Sequence, residues 1–219
     1  MNEKTETAPV PPKKPRFWYR FMYFLVAGPA RLLRRVKVTG MENVDPGTTY
    51  LLCSNHIAAD DPIAIGAVMK RELRYMAKKE LLRIPLAGWF LRSLGAYSVD
   101  RKGADAGAVK RTIEFLKGGC SVLMFPQGHR MPGVRPEETK PMPGCAMIAQ
   151  RAGVPVLPVM IYMKDFKRRP FRRTFIRIGR PIGTDEIAAA NGVSYSEGTR
   201  LIFSRITEMT CSAENWGKE

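Results

Sequence analysis

His56 and Asp61 stand five positions apart in the stretch S-N-H-I-A-A-D-D-P, directly after the apolar run Tyr50 to Cys53. An imidazole and a carboxylate at this spacing can make a general base, provided the chain turns between them. On a helix the two would sit about 140° apart around the axis, at 3.6 residues per turn. A loop can instead fold the carboxylate back onto the imidazole, where it fixes the tautomer and stabilises the imidazolium while the other ring nitrogen takes a proton from a hydroxyl. Pro62 suits the first helical position, so Asp61 also reads as the N-cap of the following helix. Spacing alone leaves both roles open.

Two further segments end in groups that a ligand could reach. L-G-A-Y-S-V-D-R-K-G closes a strand with Arg101 and Lys102, and S-V-L-M-F-P-Q-G-H-R closes another in a Pro/Gly turn that presents Arg130. A guanidinium binds phosphate bidentately and stays charged. Cys53 and Ser54 lie close enough to His56 to invite a covalent route, but no elbow motif surrounds the serine. Direct attack by an acceptor hydroxyl needs only the His–Asp pair. The chain has just two histidines, His56 and His129, and its four cysteines, Cys53, Cys120, Cys145 and Cys211, form no C-x-x-C pair. That pattern predicts no protein-built metal site and reduced thiols in an intracellular setting.

Positioning these groups requires a sheet. Strand-like runs fall at Val36 to Thr39, Tyr50 to Cys53, Arg74 to Ala77, Ala96 to Val99, Ser121 to Phe125, Val154 to Tyr162 and Thr174 to Ile178. Helical patterns alternate with them at Pro62 to Lys70, Glu80 to Leu94, Ala104 to Leu116, Gly144 to Ala152 and within Ser194 to Cys211. The alternation predicts a single α/β domain with a central sheet flanked by helices. The unbroken apolar run Val154 to Tyr162 fits a strand buried on both faces. The 219 residues, 45% apolar and 26% charged, suffice for one core, so the chain as a whole is neither a disordered segment nor a disulfide-stapled miniprotein. Without an apolar run of roughly 18 residues, a polytopic membrane protein is excluded too.

Residues 1–15, rich in Pro, Thr and Lys, read as a disordered tail without signal-peptide features. Residues 16–35 are aromatic and apolar but broken by Arg20, Gly28 and Pro29. Such a segment suits a helix lying in the headgroup region, with Arg31, Arg34, Arg35 and Lys37 beside the aromatics, or a helix packed on its own domain. Net charge is +16, and residues 1–40 and 164–180 together hold +14 of it. Patches of this kind suit an anionic membrane surface, nucleic acid or a phosphorylated substrate.

Taken in order from Asn55 to Val159, the blocks N-H-x4-D, V-D-R, F-P-x-G-x-R and V-P-V resemble those of the 1-acyl-glycerol-3-phosphate acyltransferases, the lysophosphatidic acid acyltransferase family. The resemblance covers about half the chain. It implies the glycerolipid acyltransferase fold over residues 36–219, a mixed central sheet, and transfer of an acyl group from acyl-CoA or an acyl carrier protein to the hydroxyl of lysophosphatidic acid. It further implies His56 as base, Asp61 as its partner, and Arg101 and Arg130 on the acceptor's phosphate, with Gln127 and Gly128 counted in the same acceptor-binding block. No metal or prosthetic group is implied.

The chain departs from that family in carrying Gln127 where Glu is usual and His129 where Thr is usual, so acceptor identity is less firmly implied than reaction type. Another lyso-lipid or an amino-lipid is the alternative acceptor. A non-catalytic basic lipid- or nucleic-acid-binding domain is the alternative of a different class, with the run Lys164 to Arg173, which interleaves Phe166 and Phe171 with cations, as its strongest feature. No recognition motif accompanies that run, so nucleic acid is not the expected partner. An anionic membrane, coenzyme A phosphates or an acidic carrier protein are. The expected location is the cytoplasmic face of the cell membrane, with the chain entering it from one side.

Overall fold

The computed structural model describes residues 17–69, 71–99, 105–169, 171–190, 192 and 194–210. Seven strands, β1 (Lys37–Thr39), β2 (Leu51–Ser54), β3 (Leu73–Lys78), β4 (Ala96–Val99), β5 (Ser121–Met124), β6 (Val156–Tyr162) and β7 (Phe175–Ile178), form one sheet in the order β1-β7-β6-β2-β5-β3-β4. β6 through β4 run parallel, β7 turns back antiparallel to β6, and β1 follows β7, so the sheet is mixed. Every residue of β2 is buried, and six of the seven in β6 are. This is the pattern of central strands covered on both faces.

One topological fact places the site. Because β2, β4, β5 and β6 are parallel, the segments that leave their C-terminal ends emerge along the same edge of the sheet, the usual ligand edge of an open α/β fold. Those segments carry His56 and Asp61, the Gln127 to Arg130 turn, and the basic run after Tyr162.

The helices form two groups. α5 (Ala106–Lys117), α6 (Cys145–Ala152), α7 (Thr184–Ala190) and α8 (Tyr195–Thr207) pack on one another and on β5, β2 and β6, while α1 (Phe17–Arg34) packs on α2 (Asp61–Met69). Nearly all of α2 is buried, consistent with its apolar character around the whole circumference. The helix expected over Glu80 to Leu94 is two: α3 (Lys79–Arg83) and α4 (Pro85–Ser93), with Ile84 extended between them. A residue before proline is pushed out of the α region, and Pro85 then serves as the first residue of a new helix. α7 is not apparent from the sequence, because seven residues with one buried side chain, Ile187, show no helical period.

α1 runs through the aromatic segment and presents two different faces. Tyr19 and Met22 are buried, the Tyr23 hydroxyl donates to the Ala67 carbonyl at 2.6 Å, and the Tyr19 hydroxyl accepts from Leu73 N at 3.2 Å. The opposite face leaves Phe17 and Phe24 about four-fifths exposed, at 82% and 79%. Among the described residues no helix is long and apolar enough to cross a membrane. Cys53, Cys120 and Cys145 are free thiols, and no group of His, Cys, Asp or Glu among the described residues could hold a metal ion.

Candidate active site

The ladder of β2 against β6 ends at Ser54 and Val159, and the next residue continues the pairing with its side chain. Asn55 donates from Nδ2 to the Ile161 carbonyl at 2.9 Å and accepts at Oδ1 from Ile161 N at 2.8 Å. That pair fixes where the chain leaves the sheet.

His56 follows, held by its backbone from the turn after β5. Its N–H donates to Gln127 Oε1 at 2.7 Å, and its carbonyl accepts from Met131 N at 2.8 Å. The imidazole stacks on Phe125, with centroids 3.9 Å apart and planes 15° from parallel. Both strand-end segments therefore fix the ring, one covalently and one by packing.

The chain then turns back, with Asp61 N donating to the Ala58 carbonyl at 3.2 Å. Of the two roles open to Asp61, the structure selects the folded-back one. Its Oδ2 receives Ile57 N at 2.7 Å, Ala58 N at 2.7 Å and His56 Nδ1 at 3.0 Å, rather than N–H groups of α2. Its Oδ1 receives Arg34 Nη2 at 3.1 Å. The carboxylate is fully buried, and four hydrogen bonds offset its desolvation. Because an ionised carboxylate only accepts, Nδ1 carries the proton and the neutral ring presents Nε2 as its basic nitrogen.

Arg34 is the residue the sequence does not reveal. Its place among Arg31, Arg35 and Lys37 suggests a lipid-facing cation, yet it is 2% exposed and turned inward. Nε and Nη2 grip Asp60 at 2.9 and 2.6 Å, and Nη2 also reaches Asp61. Arg168, from the basic run after β6, meets the same Asp60 Oδ2 at 3.3 Å. Partial burial would raise the Asp60 carboxyl, but the Arg34 bonds and charge, with Arg168 behind them, outweigh it and hold it below the ordinary value. Only adjacency in space shows this; α1 and the loop are 26 positions apart.

The remaining expected site residues are placed as follows. Arg130 lies exposed in the turn after β5 and enters no ion pair among the described residues. Gln127 is buried at 2% with both ends of its amide engaged, Oε1 on His56 N and Nε2 donating to Thr139 Oγ1 at 2.9 Å. It acts on the backbone of His56 rather than presenting a free group to a ligand. Gly128 shapes the turn at φ +73°, where a Cβ would run into Met142 Sδ. Arg101 lies outside the described residues.

Neither nearby nucleophile suits a covalent step. Burial pushes the Cys53 thiol well up, with the neighbouring Cys145 adding to it, and Ser54 Oγ donates to the Asn55 carbonyl at 3.0 Å instead of to His56. A thiol so held is not a thiolate at neutral pH.

The α/β sheet and the site at its C-terminal edge belong to a chain of the acyltransferase family, whose model matches residues 35–162. It is 31% identical over 163 residues to a Streptococcus pneumoniae protein named 1-acyl-sn-glycerol-3-phosphate acyltransferase, a match covering 72% of this chain and 57% of that one. A Pseudomonas aeruginosa protein named lyso-ornithine lipid O-acyltransferase is 30% identical over 168 residues, covering 75% of this chain and 61% of that relative. The crystal structure of a Thermotoga maritima 1-acyl-sn-glycerophosphate acyltransferase superimposes with a TM-score of 0.69 over 90% of this chain and 81% of that one, at 23% identity, and shares the fold. The chain thus spans under two thirds of the length of these two sequence relatives.

Proposed function

We propose that this protein transfers an acyl group from an acyl thioester to the free hydroxyl of lysophosphatidic acid, giving phosphatidic acid. The observation that carries this is the 3.0 Å contact of His56 Nδ1 with a buried Asp61 carboxylate that backbone N–H groups and Arg34 hold in place. His56 Nε2 takes the proton of the acceptor hydroxyl as its oxygen attacks the thioester carbonyl, and Asp61 stabilises the imidazolium. The tetrahedral intermediate then collapses, the C–S bond breaks, and the imidazolium returns the proton to the leaving thiolate. Hydroxyl and thioester alone balance this reaction, with acyl-CoA or an acyl carrier protein supplying the acyl group.

Arg130 and, by resemblance, Arg101 bind the acceptor's phosphate through paired guanidinium N–H groups. The apolar outer face of α1 supports attachment to one leaflet at the cytoplasmic face. Trp89 of α4 adds to that face, its ring 6.2 Å from that of Trp18.

The test is purified protein with acyl thioester and a panel of lyso-lipids, read by thiol release and product mass. Thiol release dependent on lysophosphatidic acid, with phosphatidic acid as product, is expected. No thioester consumption with any acceptor would leave a binding domain. A second reading, the same transfer onto another lyso-lipid or an amino-lipid, is favoured by the Pseudomonas relative's name, and the panel separates the two.

A further inference from the structure

We infer that Arg34, on the last turn of the aromatic helix, is a positioning residue for the Asp61–His56 pair, and that Asp60 sets how much of its charge reaches that pair. The inference rests on His56 being the base.

Three observations carry it. The Arg34 side chain is buried and makes three hydrogen bonds, all to the two adjacent carboxylates. Its backbone is pinned as well, since its carbonyl accepts from Thr174 N at 3.0 Å, so the guanidinium is fixed from both ends. Finally, Asp61 has one oxygen for the imidazole and backbone and the other for Arg34, which makes the carboxylate a bridge between two cation-forming groups.

A cation on the far oxygen draws charge from Asp61 and opposes protonation of His56. An anion at Asp60 offsets that cation. The charged groups facing the pair are Arg34 from α1, Asp60 from the same loop and Arg168 from the run after β6, while the packed turn after β5 adds the exposed His129 and Arg130. The described part of α2 beyond Asp61 contributes no charged residue.

The two residues should therefore move the pH profile in opposite directions. Arg34→Gln is expected to shift the acidic limb of kcat/KM to higher pH and lower kcat by roughly 10- to 100-fold, the size that follows loss of alignment, with the thioester KM unchanged. Arg34→Lys should keep the limb near its original place while restoring kcat only in part, since it supplies charge without the fork. Asp60→Asn, at a partly exposed position, should shift the limb to lower pH, and it carries the test if Arg34→Gln does not fold. Limbs that stay put, or that move the same way in both variants, would overturn the assignment. His56→Ala is run alongside: if it keeps its turnover, the reading of His56 as base fails, whereas an inactive His56→Ala with unmoved limbs removes only the role of Arg34.

Discussion

Asp61 is held by four donors from three directions, and that over-determination is what lets a buried carboxylate orient an imidazole. His56→Ala is expected to lower turnover by roughly 10²- to 10⁴-fold, the usual contribution of a positioned base, while still folding cooperatively. Asp61→Asn should be impaired to a similar degree, because the amide supports the wrong tautomer and loses the anion. For Arg130, loss of charge-assisted bonds of about 1.5–3 kcal/mol predicts roughly a 10- to 150-fold fall in kcat/KM for acceptor on Arg130→Ala. Thiol release with a neutral alcohol acceptor should be spared, and equal losses with both acceptors would contradict a phosphate contact. Gln127 behaves differently from a ligand contact. Gln127→Glu keeps an acceptor for His56 N but loses the donor to Thr139, so it is expected to lower kcat in the same proportion for every lyso-lipid. A reordered acceptor ranking would instead restore Gln127 to direct contact with the acceptor.

At the scale of elements, α1 does two jobs with two faces. Its inner face buries Tyr19 so fully that desolvation pushes the phenol up to about 12, and it docks on α2 through Tyr23. Its outer face leaves Phe17, Trp18, Phe24 and Leu25 exposed, with Trp89 of α4 set edge-on to Trp18. Both sequence-level alternatives, interfacial helix and packed helix, are thus compatible in one element. Phe17→Ser with Phe24→Ser should reduce flotation with acidic liposomes while leaving the melting temperature within a degree or two, since both side chains are already exposed. Salt should weaken binding of the unaltered protein only in part, because screening spares the hydrophobic contribution. Undiminished flotation of the doubly substituted protein at high salt would exclude this face as the attachment surface.

Across the whole molecule, the aromatic helix and the sheet edge are joined by the Arg34–Asp60–Arg168 chain of charges, which ties α1, the His56 loop and the run after β6 together. Deleting residues 1–35 should therefore cost thermal stability and turnover together, beyond any loss of membrane binding. The same link gives a pH dependence. The Asp60 carboxyl is lowered in the fold, so its stabilising contribution is complete above about 3.9, the unfolded value, and is lost as pH falls through the lower folded value. Urea midpoints of the unaltered protein and Asp60→Asn should accordingly differ at pH 7 and converge as the medium is acidified below the unfolded value. A gap that persists in acid would mean that Asp60 stabilises by packing rather than by charge.

Periodicity and turn chemistry determined most of the architecture from the sequence alone. Central strands show as unbroken apolar runs, as in Val156 to Tyr162, because burial on both faces leaves no room for polar residues, and the ordered blocks around His56 and Arg130 marked the site. The break at Ile84–Pro85 was available in the rule for residues before proline but was outweighed by the apolar pattern around it. What only the tertiary structure decided is which of two local roles each polar residue takes. Asp61 could cap a helix or turn back, and the N–H groups of Ile57 and Ala58 settled it. Gln127 could meet a ligand or a backbone, and Arg34 could face lipid or the core. An arginine in a basic, aromatic segment carries no local mark of its partner; Asp60 and Asp61 reach it only because packing α1 on α2 closes a contact between residues far apart in the chain, and burial then makes those charges pair.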